Sequence, residues 1–263
     1  MIATIGSYEF NYTDTGEGPP VLCVHGFPLS STLWEPLVEA LQDDYRVIVP
    51  DLRGYGQNEP DMELSMRRFA EDLAALLDEL DVTEPVVMVG LSMGGYILFE
   101  MVRRFPERVR ALVLVDTRPQ ADDEKGKQGR AQTAQRVLDE GSHVVADDMV
   151  NKLFASQTGD ALRQRWYGIM NAVDPESVAG ALHAMAQRPD STPTLAEIDV
   201  PTLIVVGKED VITPPSDARA MADAIEGAEL VTVPNAGHMT PVEQPDAFNQ
   251  AVREFLDRVT VEE

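Results

Sequence analysis

Short unbroken apolar runs alternate along this chain with longer segments whose apolar positions recur every three or four residues. Val21 to Val24, Arg46 to Val49 before Pro50, Val86 to Val89 and Val109 to Val115 are too short for helices. They lack the polar alternation of a half-exposed strand, so they read as strands covered on both faces of a parallel sheet. Helices are expected between them, over about 33–41, 65–80 and 94–104. In the second, Ser65 is an N-cap residue type, and Met66, Phe69, Leu73, Leu76, Leu77 and Leu80 fall on one face. Met1 to Ile5 and Tyr8 to Tyr12 flank Gly6-Ser7 and predict an antiparallel hairpin, followed by a turn-rich segment from Asp14 to Pro20. Alternation of this kind predicts an α/β fold.

The alternation stops after the turn residues Asp116, Thr117, Arg118 and Pro119. Residues 117–195 carry no strand signal and show helical spacing at Val145, Met149, Val150, Leu153 and Phe154, which predicts a mostly helical insertion. Strands resume at Thr202 to Val206 and Glu229 to Val233, with helices expected over about 216–225 and 241–259. The expected organisation is therefore one core from 1–116 and 196–263, interrupted by a helical cap at 117–195. A length of 263 residues suits one large core with an insertion.

Composition narrows the function classes. No apolar run approaches the 18 or more residues of a membrane span, and Met1 to Asn11 has no basic segment followed by an apolar one. A cytoplasmic protein is expected. The 45 acidic and 21 basic residues give a formal charge of −24, which argues against nucleic acid and anionic membrane surfaces as partners. The acids are scattered and form a solvated acidic surface, whose self-repulsion salt would screen. Cys23, the single cysteine, sits in an apolar run and excludes an internal disulfide. The histidines show neither H-E-x-x-H nor Cys/His ligand spacing, so no metal or organic cofactor is expected.

The strongest chemical signal is Gly90-Leu91-Ser92-Met93-Gly94-Gly95, lying between an apolar strand and a helix. A serine there sits in a sharp strand-to-helix turn that leaves no room for side chains two residues to either side, and its Oγ projects at the carboxyl edge of the sheet. Such a hydroxyl needs a base. His143 and His183 fall among polar residues of the insertion. His25 directly follows a strand and reads as a scaffold for its loop. His238 lies late, between the last strand and the last helix, and is the expected base. Its carboxylate partner is expected to be Asp210, just past the strand ending at Gly207, with adjacent Glu209 and Asp116 as alternatives. The chain order Ser92, Asp210, His238 is that of α/β-hydrolases. The oxyanion donors are expected to be the backbone amides of Met93, after the nucleophile, and Phe27, in the loop after Val24.

His25-Gly26-Phe27-Pro28, Asp51-Leu52-Arg53-Gly54-Tyr55-Gly56, the Ser92 motif, Gly207-Lys208-Glu209-Asp210, and Gly237-His238 with Glu243-Gln244-Pro245 together resemble the α/β-hydrolase superfamily. Within it, the chain is similar to small bacterial carboxylesterases of the 3-oxoadipate enol-lactonase-like group. That resemblance implies an eight-stranded, mostly parallel sheet with one reversed strand and helices on both faces, a helical cap over the serine, and hydrolysis of short- to medium-chain esters through an acyl-enzyme. Lactone or carbon–carbon bond hydrolysis on the same triad, and a slow-turnover ligand receptor, are the alternatives; cofactor-free haloperoxidases keep the triad too. Serine at position 92 argues against dehalogenases and epoxide hydrolases, which place aspartate there. Arg118 or Arg188 would serve a dicarboxylate-like substrate, or else anchor the cap, and Arg53 reads as a loop anchor. The large apolar residues of the insertion are Met149, Leu153, Phe154, Trp166, Tyr167, Met170 and Met185. Most pack the insertion itself, and the pocket is expected to draw on Leu153, Phe154, Trp166, Met170 and, from the core, Met239.

Overall fold

A computed structural model describes residues 1–260. In chain order the elements are β1 (Ile2–Ile5), β2 (Tyr8–Thr15), β3 (Pro20–Val24), α1 (Glu35–Leu41), β4 (Arg46–Pro50), α2 (Met66–Glu79), β5 (Val86–Leu91), α3 (Met93–Arg104) and β6 (Val109–Val115). Next come α4 (Glu124–Glu140), α5 (His143–Met149), α6 (Asp160–Ala172) and α7 (Pro175–Ala186). The chain then returns through β7 (Thr202–Gly207), α8 (Pro215–Ala224), β8 (Glu229–Val233), α9 (Thr240–Glu243) and α10 (Pro245–Val259). The strands form one eight-stranded sheet in the order β1-β2-β4-β3-β5-β6-β7-β8. Only β2 runs against its neighbours; every pairing from β4 to β8 is parallel.

Period-two alternation sorts the central strands onto two apolar layers. Leu22, Val24, Met88, Leu112, Leu114, Ile204 and Val206 pack with Phe69 and Leu73 of α2, Leu98 of α3 and Met221 of α8. Their neighbours Val21, Cys23, Val87, Val89, Val113, Leu203 and Val205 pack on the opposite face with Leu37 and Leu41 of α1 and Phe248, Val252 and Phe255 of α10. Each fully buried aliphatic side chain contributes roughly 1.5–3 kcal/mol of transfer free energy, which makes the two-faced β3–β5–β6–β7 block the rigid frame. Ser65 caps α2 by accepting the Arg68 amide at 3.0 Å.

Two boundaries differ from expectation. β2 continues to Thr15 because Tyr12–Thr15 pair with Val47–Pro50, and Arg46 clamps Asp14 at 2.7 Å. Ladder bonds there override the turn preference of Asp14 and Thr15. The expected last helix is split at Gln244, whose φ of −135° and ψ of 61° reflect the steric bar against helical backbone immediately before Pro245. Among the described residues, no helix is long and apolar enough to cross a membrane.

Candidate active site

Every parallel strand points its carboxyl end toward one edge of the sheet, and the candidate residues gather there. Ser92 stands between β5 and α3 with φ 54° and ψ −112°, a region that costs a non-glycine residue on the order of 1–3 kcal/mol. Surrounding contacts hold it. The Ser92 amide donates to the Val115 carbonyl at 2.9 Å, and Thr117 Oγ1 donates to the Ser92 carbonyl at 2.8 Å. A Cβ on Gly94 would collide with the Val24 carbonyl, and one on Gly90 would lie 2.8 Å from the Gly94 carbonyl carbon. These are the two positions at which the sharp turn demands glycine.

His238 is buried, and its Nδ1 lies 2.8 Å from Asp210 Oδ2. Asp210 is itself fixed: its Oδ1 accepts the Ile212 and Thr213 amides at 2.8 and 3.1 Å, and its Oδ2 accepts Thr213 Oγ1 at 2.7 Å. With Nδ1 committed to the carboxylate, Nε2 is the nitrogen left for a proton from elsewhere. Burial opposes charge on both groups, but their mutual attraction and the Thr213 hydrogen bonds outweigh it. The net result raises His238 above the ordinary imidazole value and lowers Asp210 below the ordinary carboxylate value.

The alternative acids are engaged elsewhere. Asp116 accepts the Gly207 amide at 2.8 Å and the Thr240 amide at 3.4 Å, bracing the Asp210 and His238 loops from behind. Burial, then repulsion from Asp210, pushes its carboxyl up to about 7. Glu209 accepts from the Ser156 amide and hydroxyl and from the Gln157 side chain. His25 has both ring nitrogens occupied, Nε2 accepting the Leu52 amide at 3.0 Å and Nδ1 beside the Gly26 carbonyl at 2.9 Å. Burial holds it below the usual imidazole value. His143 and His183 are exposed. Arg53 is spent on Asp72, with two hydrogen bonds of 2.7 Å. Met93 opens α3, so its amide has no acceptor within the helix, and Phe27 faces the same cavity as Ser92.

That cavity, about 380 Å³, is lined by Ser92 and His238 at its floor and by Phe27, Tyr96, Ile212 and Thr213 from the core. The helical insertion supplies Gly129, Arg130, Thr133, Val145, Met149, Leu182 and Met185. This corrects the expected pocket. Leu153, Phe154, Trp166, Met170 and Met239 are buried in the second apolar layer with Trp34 and Phe248 and are not among the lining residues. Packing is the reason: these side chains lie on the sides of their elements that meet the core, whereas Met149, Leu182 and Met185, of comparable size to Met170 and Leu153, lie on the sides that meet the cavity. Of the seven large residues of the insertion considered above, Met149 and Met185 face it.

The alpha/beta hydrolase fold family model matches residues 19–245. The chain belongs to the α/β-hydrolase family. A thermophilic esterase from Thermogutta terrifontis is 41% identical with a TM-score of 0.95, covering 98% of this chain and 97% of that one. The enol-lactonase from Burkholderia xenovorans LB400 is 26% identical with a TM-score of 0.90, over 98% and 100% of the two chains. A non-heme chloroperoxidase from Kitasatospora aureofaciens is 31% identical over 98% of this chain and 99% of its own. Membership makes this chain a hydrolase by fold and lineage.

Two carboxylate anchors of this hydrolase were not singled out by the sequence. Asp122 gathers Arg118 at 3.2 Å, Arg188 at 2.9 Å and Arg130. Burial would raise Asp122, but Arg130 and Arg188 outweigh that and hold it at about 2. Arg188 also donates to the Met185 and Gln120 carbonyls and covers the Tyr96 ring at 4.3 Å. It anchors the insertion, whereas Arg118 reaches the cavity wall. Glu243 is the second anchor, accepting amides from both the insertion and the His238 loop. It lies within the Glu243-Gln244-Pro245 motif, but its partner in the insertion, Ala155, is 88 residues away in sequence and no local pattern points to it. Among the described residues, no group of three or more His, Cys, Asp or Glu is arranged to hold a metal ion.

Proposed function

We propose that this chain is a serine carboxylesterase for short- to medium-chain esters, with 117–195 as the cap over its active site. The observation that carries the reading is that Ser92 and His238 line one cavity while Asp210 holds Nδ1 of the imidazole. Ser92 Oγ attacks the ester carbonyl as His238 Nε2 takes its proton, and the imidazolium is stabilised by Asp210. The Phe27 and Met93 amides hold the oxyanion. Collapse expels the alcohol, which receives the proton from His238, and water repeats the sequence on the acyl-enzyme.

A cavity of about 380 Å³ suits a small ester at the lower end of ligand-pocket sizes. The similarity to an esterase at 41% identity supports the same reaction class. A second reading, lactone hydrolysis on the same triad, draws on Arg118 and Arg130 at the cavity wall, where a cation could meet a substrate carboxylate. We place the protein in the cytoplasm.

The test is hydrolysis of p-nitrophenyl acetate, butyrate and octanoate by the wild type and Ser92→Ala. Turnover of about 1–10³ s⁻¹ with a preference for the shorter chains is expected, with a loss of about 10⁴-fold in the variant. Fewer than about one turnover per minute in both proteins would instead indicate a ligand receptor. Faster turnover of an enol-lactone than of any simple ester would favour the second reading.

A further inference from the structure

We propose that Glu243 is a positioning residue that ties the cap to His238, so that the cap forms part of the scaffold of the catalytic base. The inference rests on the reading of His238 as that base. Glu243 Oε1 accepts the Ala155 amide at 2.7 Å and the Thr158 hydroxyl at 2.5 Å, both from the segment between α5 and α6. Its Oε2 accepts the amide of Gly237, the residue before His238, at 2.7 Å. One carboxylate thus holds both sides of the seam through short, charge-assisted bonds.

The backbone closes the same seam. The His238 amide donates to the Leu153 carbonyl at 2.8 Å. A Cβ at Gly237 would stand 2.7 Å from the Ala155 nitrogen, so the two segments touch with no side chain between them. Asp210, on the core, fixes the His238 ring, while Glu243 and Leu153 fix the backbone that carries it. A shift of the segment 153–158 therefore displaces the base.

Glu209 provides the contrast. Its carboxylate binds Ser156 and Gln157 of the same segment; its contact with the His238 loop is the backbone bond from its amide to the Ala236 carbonyl at 2.8 Å, which a side-chain substitution leaves in place. Replacing Glu209 loosens the cap alone; replacing Glu243 loosens the cap and the base together. Glu243 also adds negative charge that favours the His238 imidazolium.

The experiment measures kcat and KM for p-nitrophenyl butyrate from pH 5 to 9, with Tm, for wild type, Glu243→Gln, Glu243→Asp and Glu209→Gln. Glutamine at 243 turns an NH2 toward one of the backbone donors. It is expected to lower kcat about 10- to 100-fold with KM within about threefold. The ascending limb of kcat/KM should move slightly to lower pH, because one of the charges that raise His238, a smaller contribution than that of Asp210, is gone. Glu243→Asp should restore the limb and only part of kcat, while Glu209→Gln should change KM and Tm and leave kcat within about twofold. A folded Glu243→Gln enzyme with wild-type kcat and limb, or one matching Glu209→Gln, overturns the proposal. If Glu243→Gln does not fold, Thr158→Val removes one donor to the same carboxylate: a kcat loss of about threefold at unchanged KM supports the proposal, and an unchanged kcat overturns it. Retained turnover in His238→Ala would identify a failure of the base assignment itself.

Discussion

The carboxyl edge of the sheet and the helical insertion facing it line the same cavity, yet their residues reach it for different physical reasons. At the edge, backbone geometry leaves little freedom: Ser92 is strained, Gly90 and Gly94 have no room for a side chain, and Ser92 and Asp210 follow the fully buried strands β5 and β7. In the insertion, packing decides. Trp166 and Met170 turn into the apolar layer shared with α1 and α10, and smaller residues such as Gly129 and Thr133 face the cavity. On the proposed reading, chemistry belongs to the region where backbone constraint is tightest. On the same reading, selectivity belongs to the region where side-chain volume can change without moving a strand.

The sharpest way to break that division is at the two acidic residues behind His238. Asp210→Asn should lower kcat about 10⁴-fold, because the tautomer and the imidazolium lose their partner. Asp116→Asn keeps an acceptor for Gly207 and should retain activity within about tenfold. Equal losses would contradict the assignment of Asp210. Asp116 also makes a stability prediction. Its folded pKa of about 7 lies above the unfolded carboxylate value of about 3.9, so the folded state holds the extra proton between them and stability falls as pH rises through that window. Thermal unfolding of Asp116→Asn should gain on the wild type from pH 4 to 8.

On the insertion, Thr133→Phe should narrow the cavity and reduce octanoate relative to acetate turnover about tenfold, with little change in Tm. Trp166→Ala should cost about 3–5 kcal/mol of stability and preserve that ratio. The reverse pattern would show that bulk, not lining, sets selectivity. A smaller effect concerns pH. His238 is raised above 6.5 and must be neutral to accept the Ser92 proton, so the ascending limb of kcat/KM should have its midpoint above 6.5. Asp210→Asn should move that midpoint down. Smallest of all, raising salt should screen the net charge of −24 and lift Tm by about 2–4 °C, on the order of 1 kcal/mol for a chain of this size.

The same division explains what could be read from the sequence. Ser92 was legible because its neighbours leave a local mark: an apolar strand, two glycines at fixed offsets, then a helix. Asp210 and His238 were legible from their positions after the last two strands, and the scaffold role of His25 from its place directly after β3. The cavity wall was not. Which face of α4 or α7 meets the cavity depends on how four helices pack on the core, and that packing buried the residues whose size made them obvious candidates. Glu243 escaped for a related reason: its role lies in partners at Ala155 and Thr158, brought near only by the fold. The extension of β2 to Thr15 likewise depended on a partner strand.

The central claim, that Ser92 carries the acyl group, is tested most directly by quenching the enzyme during turnover of p-nitrophenyl butyrate and mapping the adduct by peptide mass spectrometry. One butyryl group on the peptide containing Ser92, absent in Ser92→Ala and accumulating in His238→Ala only over far longer times, is the predicted result. Acylation at another residue, or undiminished turnover by Ser92→Ala, would contradict it.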